Sequence, residues 1–374
     1  MKITIILGTR PEIIRLSSII KTLDQSFHLE IIHTGQNYDS GLSKIFFEDL
    51  GIREPDYYLD IGQNAKNSTS LIAEIIEKVD GILESSMPDC VLVLGDTNSA
   101  LGVVGAKKRK IPIFHFEAGN RCFDQRVPEE INRKIVDHIS DINLTYSEFA
   151  RANLLREGIA PDRVFAIGSP MKEILIQNAD KIASSKILKT LGLVEKKYFV
   201  ITFHREENLD LGDRLLTFAK ILSSISKKYN LPILMSTHPR TQKKLKALGI
   251  KLDPNIKVLD PFNFSDFITL QKNSMAVLSD SGTITEESSI LKFIALNLRE
   301  SYERQEGAKE GSIFLTGLNE SLILKTIDLI IDGHIDSDNY QEISDYQPDN
   351  VSKKFISILI SYIDLINREV YKKI

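Results

Sequence analysis

The sequence predicts an α/β protein built from two doubly wound domains that face one another across a cleft. Short apolar runs alternate with segments of helical period along most of the chain. Strands that alternate with helices in this way form parallel βαβ units. The alternation stops in a polar stretch at residues 181–197 and then starts again, and a length of 374 residues is enough for two domains.

The first half of the chain begins with an apolar strand at residues 2–7. Gly8-Thr9-Arg10-Pro11-Glu12 follows it and predicts a turn into a helix that has proline at its first position. Apolar side chains at helical spacing continue this helix to Leu23. Helices are also predicted around residues 42–50 and 70–86. Further strands are predicted at residues 29–33, 90–94, 111–116, 141–144 and 163–167.

The second half shows the same architecture without an obvious sequence repeat. Residues 332–349 are polar and predicted to be loop, and residues 351–371 form a long amphipathic helix. The predicted domains are residues 1–180 and 181–350, followed by the terminal helix in 351–374. Strands of this half are predicted at residues 198–203, 232–235, 256–259, 275–278, 293–298 and 312–315.

Composition excludes several classes of protein. A hydrophobic content of 42% with 26% charged residues is typical of a soluble globular protein, and a net charge of −4 provides no basic surface for nucleic acid. No stretch approaches the roughly 20 apolar residues of a membrane helix, and the run at residues 2–7 meets a turn too early for a signal peptide. We therefore expect a cytoplasmic protein that binds neither nucleic acid nor membrane. Cys90 and Cys122 are too few for a disulfide framework or a cysteine-rich metal site.

Residues 115–133, HFEAGNRCFDQRVPEEINR, form an unusually charged connection after an apolar strand. Carboxylates and guanidinium groups crowded at such a place either pair with one another in a structural network or hold a charged ligand. Cys122 lies within this stretch and is expected to behave as a small buried apolar residue. The charged members are Glu117, Arg121, Asp124, Arg126, Glu129, Glu130 and Arg133.

Polar residues follow four predicted strands at their carboxyl ends. Ligands of open α/β sheets bind beyond this edge, so the four groups are expected to converge on the cleft. Each alone also fits a cap or a turn, as Asp96 before Thr-Asn illustrates. The four are Asp96 after VLVLG, Glu117 after PIFHF, His204-Arg205-Glu206-Glu207 after YFVITF, and Ser279-Asp280-Ser281-Gly282-Thr283 after MAVL.

Ser281-Gly282-Thr283 opens a predicted helix whose exposed N–H groups would attract phosphate, although the tripeptide also makes an ordinary cap. Glu287, one turn further, could accept hydrogen bonds from ribose hydroxyls. No GxGxxG follows the first strand, which disfavours a dinucleotide cofactor and leaves a mononucleotide diphosphate open. His204 is either a proton donor to phosphate or a turn histidine. No metal site is predicted, because no histidine pair has zinc spacing and Asp336-Ser337-Asp338 is expected to be solvated.

These segments together resemble the non-hydrolysing UDP-N-acetylglucosamine 2-epimerase family over nearly the whole chain. The motifs are GTRPEIIR, GDTNS, HFEAGNR, VPEEINRKIVDHISD, HREEN, STHPR, SDSGTITEESS and the ER-x-EG motif from Glu303 to Gly307. More narrowly, EAGNRCFDQRVPEEINRKIVDH and SDSGTITEESSILK resemble the branch that makes UDP-N-acetyl-L-fucosamine for capsule or O-antigen.

The resemblance implies a glycosyltransferase-B arrangement of two Rossmann-like domains, with the last helix crossing back to the first domain, and a homodimer. It also implies a reaction without a cofactor on a UDP-sugar. UDP is eliminated from C1 and C2 to give a 2-acetamidoglycal and is added back after reprotonation on the opposite face. Such inversion needs acid/base groups on both faces of C2.

Site residues follow from the resemblance by motif position. Asp96, Glu117 and Glu129 resemble the family's acid/base carboxylates, and His204 resembles its phosphate-side catalytic histidine. Arg15 stands where the family commonly has lysine. Residues that match UDP-holding positions are Arg10, Arg15, Phe267, Ser281, Gly282, Thr283 and Glu287.

Two departures from the family pattern bear on function. Residues 36–39 read Gln-Asn-Tyr-Asp where bacterial members have a Gln-His-Arg-Glu-like segment that contributes to allosteric binding of a second substrate molecule, so activation of that kind is not expected. Gln305 replaces the proline of the Glu-Arg-Pro-Glu motif. Alternatives are a hydrolysing epimerase, a glycosyltransferase of the same fold and a non-catalytic nucleotide-sugar sensor.

Overall fold

The computed structural model describes residues 1–36, 40–61, 65–203, 212–237, 241, 244–245, 247–336 and 342–373. The chain divides into two compact units, one of Met1–Gln177 with Ser344–Ile374 and one of Asn178–Ile343. Within the described ranges, no helix is long and apolar enough to cross a membrane.

The first unit is a parallel sheet of seven strands in the order β3-β2-β1-β4-β5-β6-β7. The strands are β1 (Lys2–Leu7), β2 (His28–His33), β3 (Tyr57–Tyr58), β4 (Cys90–Leu94), β5 (Ile113–Phe116), β6 (Ile142–Thr145) and β7 (Val164–Ala166). Its helices are α1 (Arg10–Ser26), α2 (Ser40–Leu50), α3 (Ser68–Ser86), α4 (Val103–Lys108), α5 (Pro128–Ile139), α6 (Glu148–Arg156) and α7 (Met171–Gln177).

The second unit is a parallel sheet of six strands in the order β10-β9-β8-β11-β12-β13. The strands are β8 (Phe199–Thr202), β9 (Ile233–Ser236), β10 (Ile256–Leu259), β11 (Ala276–Ser279), β12 (Ala295–Asn297) and β13 (Phe314–Leu315). Its helices are α8 (Ala179–Ser184), α9 (Ile187–Leu191), α10 (Gly212–Tyr229), α11 (Phe264–Asn273), α12 (Ile284–Leu291), α13 (Gln305–Lys309) and α14 (Glu320–Ile331).

Both sheets are doubly wound. In each one the first strand in sequence lies inside the sheet, and the chain winds outward from it in one direction and then in the other. Two parallel α/β sheets, as the alternation of strands and helices predicts, are therefore confirmed. The sequence prediction missed β3, a two-residue edge strand that pairs with the end of β2.

Burial explains why the strands are short apolar runs. Residues 3–7 of β1 and all of β4 and β5 are buried, as expected for strands with helices on both faces of the sheet. The last helix, α15 (Val351–Glu369), belongs to the first unit. Its Phe355 packs edge-on against Phe114 and Phe116 of β5, at ring-centroid distances of 5.8 and 4.9 Å. Lys354 adds a hydrogen bond of 3.1 Å to the carbonyl of Ile167.

Candidate active site

Two candidate carboxylates of the first unit leave the same edge of its sheet. Leu94 and Phe116 are register partners at the ends of β4 and β5, and the chain continues from them to Asp96 and Glu117. Glu117 Oε2 lies 3.8 Å from the position that a β-carbon on Gly95 would occupy. The structure thus brings Asp96 and Glu117 together within the first unit.

Glu117 has a strained backbone and a paired side chain. Its φ of +62° lies in the left-handed region, which costs a residue other than glycine about 1 to 3 kcal/mol and marks many functional sites. The carboxylate forms an ion pair with the buried Arg15 and accepts a hydrogen bond of 3.4 Å from Asn120 Nδ2. Arg15 also lies over the ring of Tyr146, at 5.7 Å from its centroid. Arg15 is therefore a partner of Glu117 in this structure.

Asp96 is held by Arg133. Arg133 Nη2 and Nε donate to Asp96 Oδ2 at 2.6 and 3.0 Å, and its Nη1 donates to Glu130 Oε2 at 2.9 Å. Asn132 Nδ2 donates to the main-chain carbonyl of Asp96 at 3.0 Å. Arg133 and Glu130 are buried, whereas the Asp96 side chain is 27% exposed, so Asp96 is the member of this group that a ligand can reach.

Helix α5 turns its polar face inward. Glu129 stands in its first turn and is half-buried. Its apolar residues Ile131 and Ile135 are exposed. A helix with this pattern packs on the rest of the unit mainly through charged and polar side chains rather than through an apolar stripe. The buried residues of the helix are Glu130, Asn132, Arg133, Val136 and Asp137.

Asp137, at the other end of α5, holds the segment that follows Glu117. It accepts hydrogen bonds from the Gly119 N–H at 3.2 Å and from Arg121 Nη1 at 2.6 Å. His115 Nδ1 lies 3.0 Å from Asp137 Oδ1, the oxygen that the Gly119 N–H also meets, and His115 Nε2 bonds the carbonyl of Gly95 at 2.8 Å. Burial alone would raise the pKa of the Asp137 carboxyl, but His115 and Arg121 outweigh burial and hold it below its ordinary value. Asp137 is therefore a carboxylate with a structural role.

The arginines of residues 115–133 pair mainly with carboxylates. Arg121 binds Glu157 through two hydrogen bonds of 2.7 and 2.6 Å, and its side chain is buried. Arg126 pairs with Asp124 at 2.8 Å but is 78% exposed. Some of the charged residues in this segment thus form a structural network, and they are distinct from the candidate carboxylates at the strand edge.

Glu12 joins the loop after β1 to the loop that bears Asp96. Its Oε2 accepts hydrogen bonds from the N–H groups of Gly8 and Thr9 at 2.8 and 2.7 Å, and its Oε1 accepts one from the Thr97 hydroxyl at 2.7 Å. Burial raises the pKa of Glu12 from 4.5 to about 7, against the lowering effect of these hydrogen bonds. The sequence identified only the turn and the helix start here.

In the second unit, the predicted phosphate segment follows β11. The Ser281 N–H donates to Ser279 Oγ at 2.9 Å, and Ser281 Oγ lies 3.0 Å from Thr283 Oγ1. Thr283 immediately precedes α12 without capping it through its side chain. The segment therefore begins a helix as predicted, and Gly282 lies between the two hydroxyl residues.

Glu287 and Phe267 lie on helices of the second unit. The N–H of Glu287 donates to the carbonyl of Thr283 at 3.0 Å, so its side chain is one turn from the phosphate segment. Its Oε2 accepts a hydrogen bond of 2.7 Å from Gln271 Nε2. Phe267 lies on α11 and is partly buried among the apolar side chains of this unit. Gln271 orients Glu287 and was missed from the sequence, since a glutamine inside a helix carries no distinctive signal.

The ER-x-EG motif is built on buried ion pairs. Arg304 Nη1 lies 2.5 Å from Glu286 Oε1, and both side chains are buried. Arg299 binds Glu303 at 2.6 Å. A β-carbon on Gly307 would lie 2.2 Å from Thr285 Cγ2, so this position is restricted to glycine. The motif therefore holds the start of α12 against the segment that leads from β12 into α13.

The remaining predicted residues are placed as follows. Arg10 is the first residue of α1, and its guanidinium lies 5.5 Å from the centroid of the Phe46 ring. His204 with its neighbours Arg205, Glu206 and Glu207 lies outside the described residues, as do residues 37–39. Among the residues that the structure describes, no cluster of three or more His, Cys, Asp or Glu side chains could hold a metal ion.

Two doubly wound sheets with carboxylates at one strand edge and a hydroxyl-rich helix start at another define an α/β enzyme of the nucleotide-binding type. Comparison with known proteins gives a more specific result. The family model described as UDP-N-acetylglucosamine 2-epimerase matches residues 21–360.

Solved structures and curated proteins agree. A structure of UDP-N-acetylglucosamine 2-epimerase from Rickettsia bellii is 46% identical, covers 100% of both chains and superposes with a TM-score of 0.90. The Methanocaldococcus jannaschii UDP-GlcNAc 2-epimerase in complex with UDP-GlcNAc and UDP is 35% identical, with a TM-score of 0.90 over 96% of this chain and 100% of that one. The UDP-2,3-diacetamido-2,3-dideoxy-D-glucuronate 2-epimerase of Pseudomonas aeruginosa is 34% identical over 87% of this chain and 91% of its own length.

The chain belongs to the UDP-N-acetylglucosamine 2-epimerase family. The predictions of this non-hydrolysing family, of an isomerase and of two Rossmann-like domains of the glycosyltransferase-B type are confirmed. The resemblance to one particular branch of the family stays a prediction.

Proposed function

We propose that the protein interconverts the C2 epimers of a UDP-2-acetamido-2-deoxy sugar, UDP-N-acetylglucosamine and UDP-N-acetylmannosamine being the first candidates. The observation that carries the proposal is that Asp96 and Glu117 follow neighbouring strands at one edge of the sheet and that each forms an ion pair with a buried arginine. The M. jannaschii relative whose solved complex contains UDP-GlcNAc supports this choice of substrate.

The reaction would run through elimination and re-addition of UDP. A base removes the proton from C2, the electrons of that bond form a C1=C2 double bond, and UDP leaves C1 with the electrons of the C–O bond. The resulting 2-acetamidoglycal is reprotonated at C2 from the opposite face while UDP returns to C1. We assign proton removal to Glu117 or Asp96 and assistance on the other face to Glu129. Positioned groups of this kind typically contribute about 10² to 10⁴-fold each.

Leaving-group binding is assigned to the residues that match the family's UDP-holding positions. Ser281, Gly282 and Thr283 would bind phosphate through main-chain N–H groups and hydroxyls at the start of α12, and Glu287 would accept hydrogen bonds from the ribose. Supporting residues in this assignment are Arg10, Arg15, Phe267 and His204, the last as the phosphate-side acid.

The exact sugar is a finer proposal. The motifs of residues 117–138 and 279–292 support UDP-N-acetyl-L-fucosamine, formed from its talo epimer for capsule or O-antigen synthesis. The P. aeruginosa relative is named for a different UDP-2-acetamido sugar, which supports variation of the sugar within this family.

We also propose a cytoplasmic homodimer, and sedimentation velocity of the purified chain tests its oligomeric state.

The decisive experiment is NMR of the purified protein in deuterated water with UDP-N-acetylglucosamine and, separately, with UDP-N-acetyl-L-pneumosamine. Deuterium at C2 of one sugar with formation of its epimer identifies the substrate. Free N-acetylmannosamine would instead show a hydrolysing enzyme. Absence of exchange with both sugars would contradict the proposal and favour a transferase or a sensor.

The carboxylate assignment has a separate test. Glu117→Gln and Asp96→Asn are each compared with the unaltered protein for the rate of deuterium incorporation at C2. The variant that lacks the base should lose about 10² to 10⁴-fold of that rate. A Glu117→Gln protein that exchanges at the normal rate excludes Glu117 as the base.

A further inference from the structure

Glu130 is a buried carboxylate beside the candidate acid/base groups to which the motifs assign no role. It is 1% exposed and directly follows Glu129 in the first turn of α5. An ionised carboxylate in such a place is retained only where hydrogen bonds and opposite charge compensate its burial. Its contacts therefore indicate what it holds in place.

One contact leads to Asp96. Glu130 Oε2 accepts a hydrogen bond of 2.9 Å from Arg133 Nη1, while the other two nitrogens of that guanidinium, Nη2 and Nε, donate to Asp96 Oδ2. Because a guanidinium is planar and rigid, fixing one of its nitrogens fixes the directions of the others. Glu130 thus determines the orientation in which Arg133 meets Asp96.

Further contacts lead to the loop between Glu117 and Glu129. The N–H groups of Cys122 and Phe123 donate to the two oxygens of Glu130 at 3.1 and 3.2 Å. Phe123 has a φ of +57° and a side chain that is 67% exposed. A bulky residue keeps this conformation only where the surroundings impose it, since it costs about 1 to 3 kcal/mol. The hydrogen bond to Glu130 is one of those constraints.

We propose that Glu130 is a positioning residue of the epimerase, which holds Asp96 through Arg133 and holds the Cys122–Phe123 segment through its main-chain N–H groups. This inference rests on the proposed function. Glu130 touches neither the sugar nor UDP in this scheme. Its effect is on the geometry of proton transfer, where a misplacement of about 1 Å can cost about 10²-fold in rate.

The test uses Glu130→Gln, which keeps the size of the side chain and removes its charge. Wild-type turnover is measured first. If the wild-type protein does not turn over the UDP-sugar, the proposed function is refuted, and that failure is distinct from a failure of the inference about Glu130. In the variant we expect kcat to fall by at least about tenfold while KM changes by less than about threefold, since the residues that Glu130 contacts through Arg133 and the Cys122–Phe123 segment are not those assigned to UDP.

A second readout separates positioning from loss of folded protein. The quantity measured is the amount of 2-acetamidoglycal released divided by the amount of epimer formed. Because this glycal ratio compares two products of the same molecules, it does not depend on the fraction of the protein that is active. Misplaced acid/base groups leave the intermediate unprotonated for longer, and we expect this ratio to rise by at least about fivefold in Glu130→Gln. Glu130→Asp keeps the charge and should fold even if Glu130→Gln does not. Its glycal ratio should lie between those of wild type and Glu130→Gln. If Glu130→Gln does not fold, the ratio of Glu130→Asp should still exceed that of wild type.

Glu173→Gln is the matched control. Glu173 is also a buried carboxylate of the first unit, and it accepts a hydrogen bond of 3.0 Å from the N–H of Ser352 and one from its hydroxyl. Its loss should lower stability without changing the glycal ratio. An active wild-type enzyme with the same ratio and the same kcat in the Glu130 variants would overturn the inference.

Discussion

Glu12→Gln should change how the stability of the protein depends on pH. Glu12 is buried beneath the strand edge and accepts hydrogen bonds from the loops after β1 and β4. Its pKa is raised from 4.5 to about 7, chiefly by burial. Between these two values the folded protein keeps the proton while the unfolded chain releases it. Stability from this group is therefore fully present below about pH 4.5 and is lost as the pH rises to about 7.

The size of the effect follows from the shift. One pKa unit corresponds to 1.36 kcal/mol, so a rise from 4.5 to about 7 corresponds to about 3 kcal/mol. Relative to Glu12→Gln, the wild-type protein should lose about this much free energy of unfolding between pH 4.5 and pH 7. Glu12 is fully ionised in both states only about one unit above its folded-state pKa of about 7, and from there the difference should stay constant.

Urea unfolding at half-unit steps from pH 4.5 to pH 8 measures the difference directly. Thr97→Val serves as a companion, because the Thr97 hydroxyl donates to Glu12 and lowers its pKa. In that variant the loss of stability should extend to higher pH. A constant difference in free energy of unfolding between wild type and Glu12→Gln over the whole range would refute the reasoning.

Two further predictions concern close packing and buried charge. Gly8→Ala should lower the free energy of unfolding by about 1 to 3 kcal/mol, because the new β-carbon would lie 2.1 Å from Thr34 Oγ1. Gly81→Ala, with nothing within 4 Å, is the control and should not destabilise, so equal losses in urea unfolding would contradict this explanation. Arg304→Met should lower the free energy of unfolding by about 3 to 5 kcal/mol, because it removes the cation of a buried ion pair and leaves Glu286 in place. Adding Glu286→Gln should restore at least half of that loss, and a double variant as unstable as the single one would argue against charge as the cause.

Strands were predictable because burial on both faces leaves continuous apolar runs. The run at residues 90–94 matches β4 (Cys90–Leu94) to the residue, since Gly95 and Asp96 end it abruptly. Tyr57–Tyr58 escaped prediction because this short strand directly follows Asp56 and stands in no apolar run, whereas β13, equally short, ends the predicted run at residues 312–315. Its place is determined by pairing with β2, which is a property of the sheet and not of the local sequence.

Candidate residues at strand ends were predictable for a related reason. Parallel strands end at one edge, so Asp96 and Glu117 had to leave the sheet side by side once β4 and β5 were neighbours. The sequence, however, named Glu130 only as one of several charged residues of the stretch 115–133, and nothing in it marked Glu130 or Asp137 as buried. Their burial depends on arginine partners that come from other parts of the first unit or from a neighbouring turn of α5.

Helix α5 shows how the two interpretations of residues 115–133, a structural charge network and a ligand site, fit together. A buried carboxylate that pairs with arginine is expensive to build, and an apolar residue of similar size would often stabilise the fold as well. Here Ile131 and Ile135 are on the exposed face while Glu130 and Asp137 are inside. That arrangement has a physical reason if the buried carboxylates of α5 hold in place other charged groups that must stay accessible to solvent. Asp96 at 27% and Glu117 at 13% side-chain exposure are groups of that kind.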